Sequence, residues 1–84
     1  MMLKRIIIGV NVTGFAQNSG EVQSVFREYG CSIRTRIGLH AATGDACDPN
    51  GLILIEFTGG SAEADELTQK LTAIQGIEVK RMEF

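Results

Sequence analysis

The stretch that most limits how this chain can fold is Gly51-Leu52-Ile53-Leu54-Ile55-Glu56-Phe57, apolar at five of its seven positions and entered through Asp48-Pro49-Asn50. Proline presets φ for a turn, and Asn and Gly tolerate the positive φ that follows, so the chain reverses here. A short apolar run behind such a turn reads as a strand, Gly51–Thr58, with Ile53, Ile55 and Phe57 on one face and Leu52, Leu54 and Glu56 on the other. Ser32–His40 alternates just before it. Ile33, Thr35, Ile37 and Leu39 fall on one face, and Arg34, Arg36, Gly38 and His40 on the other. That alternation predicts one buried and one polar face. The two strands and the polar loop Ala41–Asn50 make a hairpin.

The rest of the chain frames that hairpin. Leu3–Thr13 is a strand whose Ile6, Ile8, Val10 and Val12 share a face, while Ile7 on the other side suggests a central position with cover on both sides. A loop, Gly14–Ser19, leads to a helix ending near Tyr29, with Asn18 or Ser19 available as N-cap. Val22, Val25, Phe26 and Tyr29 recur at helical spacing, and Gly30 is placed to end the helix. After Thr58, Gly59-Gly60 breaks the strand. Ser61 is the expected cap of a second helix that carries Glu63, Asp65 and Glu66 in its first turns. Ala64, Leu67, Leu71 and Ile74 form its stripe, and Gln75-Gly76 ends it. Ile77–Phe84 is the last strand, with Ile77 and Val79 on one face and Met82 and Phe84 on the other.

The order β-α-β-β-α-β predicts an α+β ferredoxin-like sandwich over residues 1–84, one domain. Right-handed crossovers put both helices on one face of a four-stranded antiparallel sheet with strand order 4-1-3-2. The other face then carries Ile7, Leu52, Leu54, Met82 and Phe84, with Arg34, Arg36, His40 and Lys80 nearer its edges. An exposed apolar patch marks a partner surface. Small domains also gain stability by association. A homodimer or homotetramer, packed sheet on sheet or edge to edge, is therefore expected.

Chemistry-bearing residues are few. The net charge is −2, with no basic block to displace counterions from nucleic acid. No apolar run approaches the ~20 residues of a membrane span. The two cysteines lack CxxC spacing, which points to reduced thiols in a cytoplasm, with Cys31 read as a small, partly buried hydrophobe. His40 and Cys47 are metal-ligand types bracketing one loop, with Asp45 and Asp48 as the local oxygen donors. Two soft ligands fall short of the usual set of about four, so no metal and no other cofactor is assigned. Gly14 and Asn18 lie in a strand-to-helix loop whose N–H groups could hold a small anion or zwitterion. Arg34 and Arg36 could meet an acidic ligand or partner, and Leu52 and Leu54 an apolar one. One histidine, no Gly-x-Ser-x-Gly elbow and no carboxylate pair placed in a cleft leave no catalytic set.

Three pieces carry a resemblance: Ile33-Arg34-Thr35-Arg36-Ile37-Gly38-Leu39, the apolar third strand, and the stretch from Leu67 through Lys70-Leu71 and Gly76-Ile77 to Val79-Lys80. Together they resemble the iron-only hydrogenase system regulators, small stand-alone ACT-like domains. The resemblance implies a non-catalytic regulatory role, in transcription by the name of the group, in a domain that binds a ligand or partner where subunits meet. A more distant likeness is to the C-terminal domain of the nickel-responsive repressor. Leu39-His40 and Cys47 match that pattern, whereas Ala42 stands where its second histidine would be.

Overall fold

The structure, a computed structural model, describes residues 5–13, 19–40 and 51–84, and the side chains of Ser19 and His40 lie outside that description. Six elements follow in the expected order: β1 (Ile6–Val12), α1 (Ser19–Glu28), β2 (Ile33–His40), β3 (Gly51–Phe57), α2 (Ser61–Thr72) and β4 (Ile77–Glu83). The sheet is antiparallel throughout, with order β2-β3-β1-β4. This is the ferredoxin-like arrangement expected from the sequence. β1 and β3 are central, and β2 and β4 are its edges.

The core forms where the helical stripes meet the inward face of the two central strands. Ile6, Ile8 and Val10 of β1 and Ile55 and Phe57 of β3 are buried against Val22 and Phe26 of α1 and Ala64, Leu67 and Leu71 of α2. Each large member contributes about 1.5–3 kcal/mol by leaving water. Tyr29 and Phe57 meet at 6.4 Å with rings tilted by 59°, within the range aromatic pairs favour. On the outside of the helix pair, Lys70 Nζ donates to Glu28 Oε2 at 2.5 Å and lies 5.1 Å from the Tyr29 ring centroid. The Glu28 hydrogen bond, and then Tyr29, hold the Lys70 ammonium above its ordinary pKa of 10.5.

Three local expectations are corrected. The N-cap of α2 is Gly60, not Ser61, and it sits at φ 88°, a region that costs any residue with a Cβ. Ser61 Oγ instead donates to Glu83 Oε1 at 2.9 Å. Gly30–Ser32 wind as a single 3-10 turn, which leaves Cys31 exposed and brings Ile33 to the core. The third correction bears on function. β2 carries a register break between Ile33 and Thr35. Ile33 faces Phe57 on the helix side, yet beyond the break Ile37 pairs with Leu54 and Leu39 with Leu52, on the opposite side. One extra residue at a bulge turns every later side chain over. Ile37 and Leu39 therefore stand exposed at 50% and 45% instead of lining the buried face.

Candidate functional site

Of the sequence-derived candidates, Leu52 and Leu54 lie on the sheet face without helices. Strand register lays this face out in rows across β2, β3, β1 and β4. The first row is Leu39, Leu52, Asn11 and Glu78. The second is Ile37, Leu54, Gly9 and Lys80, and the third Thr35, Glu56, Ile7 and Met82. Beyond the third row Phe84 N–H donates to the Arg5 carbonyl at 2.9 Å. Met82 and Phe84 are 58% and 74% exposed, so two large apolar groups at this end of the face stand in water.

Gly9 lies in the middle of this face. A Cβ there would touch the side chains of Leu54 at 3.6 Å and Leu52 at 3.9 Å, so both leucines lean across the space a side chain would fill. The apolar groups form two corners on one diagonal: Ile37, Leu39, Leu52 and Leu54 at one end, Ile7, Met82 and Phe84 at the other. The remaining corners are polar. In one, Thr35 Oγ1 donates to Glu56 Oε1 at 3.3 Å, and Arg5 Nε stands 4.0 Å from Glu56 Oε2. A concavity of about 450 Å³ lies there, lined by Arg5, Ile7, Glu56 and Phe84. In the other corner Lys80 and Glu78 form no ion pair among the described residues.

The expected grouping of Arg34 and Arg36 with Leu52 and Leu54 does not form. The bulge puts Arg36 on the helix side, opposite Ile55, where its guanidinium carbon is 4.8 Å from the Phe26 ring centroid. Its Nη2 donates to Gln23 Oε1 at 2.7 Å. Arg34 is exposed at the bulge itself. A shallow groove of about 280 Å³ between α1 and β2 is lined by Gln23, Phe26, Arg27, Gly30, Ile33 and Arg36. Its inward arginine is thus engaged with the protein's own helix. Leu52 and Leu54 are half-buried on the open face as expected, and Ile37 and Leu39 join them there. Those two additions are what the sequence reading missed. The only signal for them is the cross-strand match of Ile37 and Leu39 to Leu54 and Leu52, visible once the register is known.

Gly14, Asn18, Asp45, Cys47 and Asp48 lie outside the described residues, as does the His40 side chain. Among the described residues no three His, Cys, Asp or Glu side chains cluster as a metal site. None of the described helices is long and apolar enough to cross a membrane.

The fold has a solved counterpart. The uncharacterized protein TM1266 from Thermotoga maritima is similar over 96% of this chain and 98% of its own, with a TM-score of 0.82 and 18% sequence identity. At that identity the likeness shows the fold. No family model and no curated protein matches the chain.

Proposed function

We propose that this chain is a small regulatory domain of the iron-only hydrogenase system regulator type, acting through association on its open sheet face and without chemistry of its own. The observation that carries the reading is the contiguous apolar diagonal from Leu39 to Phe84, with Ile37, Leu39, Met82 and Phe84 all exposed. Patches of this kind on small domains serve as contact surfaces. The sequence resemblance in Ile33–Leu39 and from Leu67 to Lys80 supplies the regulatory part of the reading. A domain of this kind regulates by binding one assembly better than another and shifting the population between them.

The test is a deletion strain complemented with the wild-type chain or with Leu54→Glu, which puts a charge at the centre of the face. Transcript and hydrogenase-protein levels are compared at equal levels of the two proteins. The reading expects a regulatory change on deletion, restored by the wild type and not by Leu54→Glu. A deletion that leaves those levels unchanged overturns the regulatory reading. Equal rescue by Leu54→Glu removes the face from it.

A further inference from the structure

The face is patterned as well as apolar, and the pattern names an occupant. Building on the reading of this face as an association surface, we propose that a second copy of the chain covers it. The two sheets pack face to face with strands crossed at about 90°, related by a two-fold axis along the apolar diagonal.

The geometry follows from the register. Strands lie ~4.8 Å apart, and successive residues on one face of a strand lie ~6.7 Å apart. Leu39 and Met82 are separated by three strand spacings and two rows. Their diagonal therefore runs at roughly 45° to the strands, and a half-turn about it crosses the two sets of strands at roughly 90°, one of the two stable ways of stacking sheets. The same rotation brings Leu54 onto the second copy's Leu54 and Leu52 against its Ile37. It also places Lys80 over the second copy's Glu56, and does so twice by symmetry.

The two in-plane axes along and across the strands fail on chemistry. A two-fold parallel to the strands lays Leu39 on Glu78 and Ile37 on Lys80. One across the strands lays Leu52 on Glu56. Each would strip water from a charge against an apolar group.

Sheet twist selects the same diagonal. Two twisted sheets crossed at right angles approach along one diagonal and splay apart at the other two corners. For the right-handed strand twist and the right-handed β-α-β crossover, the close diagonal on the helix-free face is the one from Leu39 to Met82. Apolar groups thus occupy the close corners, while Lys80 and Glu56 lie next to the splayed corners of Glu78 and Thr35, where their long side chains can span the gap. Lys80 is without an ion-pair partner among the described residues.

Sedimentation equilibrium from low to high micromolar concentration tests the arrangement on wild type, Lys80→Glu, Glu56→Lys, the double reversal and Leu54→Glu, with circular dichroism confirming that each is folded. A wild-type dimer is expected. Each single reversal turns two attractions into repulsions and should raise Kd by roughly tenfold. The double reversal should restore most of that loss. If the single variants weaken the dimer and the double does not recover it, the pairing is wrong. If only Leu54→Glu dissociates it, the face associates in another geometry and this one is overturned. A wild-type monomer at high micromolar concentration removes the second copy altogether, and the deletion-strain result then decides the regulatory reading on its own.

Discussion

Arg36→Met distinguishes a β2 that carries a bulge from one that alternates without interruption. In the observed fold the Arg36 guanidinium lies 4.8 Å from the Phe26 ring centroid and donates to Gln23 Oε1 at 2.7 Å. A cation–π contact at an exposed site contributes about 0.5–1 kcal/mol. An exposed side-chain hydrogen bond adds about 0.5 kcal/mol. Methionine keeps part of the apolar cover over the ring, so the substitution should cost about 1 kcal/mol. In a domain of this size that lowers Tm by roughly 4–8 °C. The chain has no tryptophan, so unfolding is best followed by far-ultraviolet circular dichroism in heat and in urea. Sedimentation of the same samples reports association. The expected result is lower stability with unchanged association, and a measurable coupling to Gln23→Ala in a double-mutant cycle. Unchanged stability together with weakened association would refute the reasoning, because it is the outcome for an arginine on the open face.

Two further outcomes follow from backbone and charge. Gly60→Ala should destabilise the fold by about 1–2 kcal/mol in urea titrations, because a Cβ is strained at φ 88°, whereas Gly30→Ala, with nothing within 4 Å of the added Cβ, should stay within about 0.5 kcal/mol of wild type. Equal stabilities for the two variants would contradict the observed turn. The raised pKa of Lys70 means that its pairing with Glu28 contributes fully below the ordinary lysine value of 10.5 and fades as pH rises beyond it. Wild type should therefore lose Tm faster than Glu28→Gln from about pH 10 to about pH 12, and parallel curves would show that the pair contributes nothing.

Most of the fold was legible because its signals are local and repeat. Val22 and Phe26 on α1 with Tyr29 just after it, and Ala64, Leu67 and Leu71 on α2 with Ile74 just after it, all occupy the buried positions their spacing implies. The strand order followed from two right-handed crossovers joined by a hairpin. What escaped was a single residue of slack in β2. Ile33, Thr35, Ile37 and Leu39 alternate without a flaw in sequence, so a period of two places them all on one face. The break between Ile33 and Thr35 has no local residue signature. It belongs to the pairing, since Ile33 sits opposite Phe57 on the core side while Ile37 and Leu39 sit opposite Leu54 and Leu52 on the open side. The candidate face was therefore half visible: its β1, β3 and β4 members could be read, and its β2 members were exchanged for arginines. The Ser61 cap failed for a related reason. A serine beside two glycines satisfies the capping pattern, but Gly60 can adopt a φ that the serine could not share, and the hydroxyl found Glu83 instead.

The bulge in β2 acts as a selector between two chemical surfaces written on one strand. Odd-numbered positions from Thr35 to Leu39 offer hydrocarbon and a hydroxyl; the even-numbered ones offer a guanidinium and a bare glycine. With the extra residue present, the hydrocarbon set faces outward and the arginine is folded back onto Phe26. Removing one residue at the Arg34 position would leave Ile33 opposite Phe57 and Thr35 opposite Glu56 in a regular ladder with the same display. Closing the bulge with every residue kept would instead put Arg34 opposite Glu56 and Arg36 opposite Leu54, and so reverse it. A relative with this fold could thus trade a greasy contact surface for a cationic one through a one-residue slip of this strand, with no change in its amino-acid sequence there.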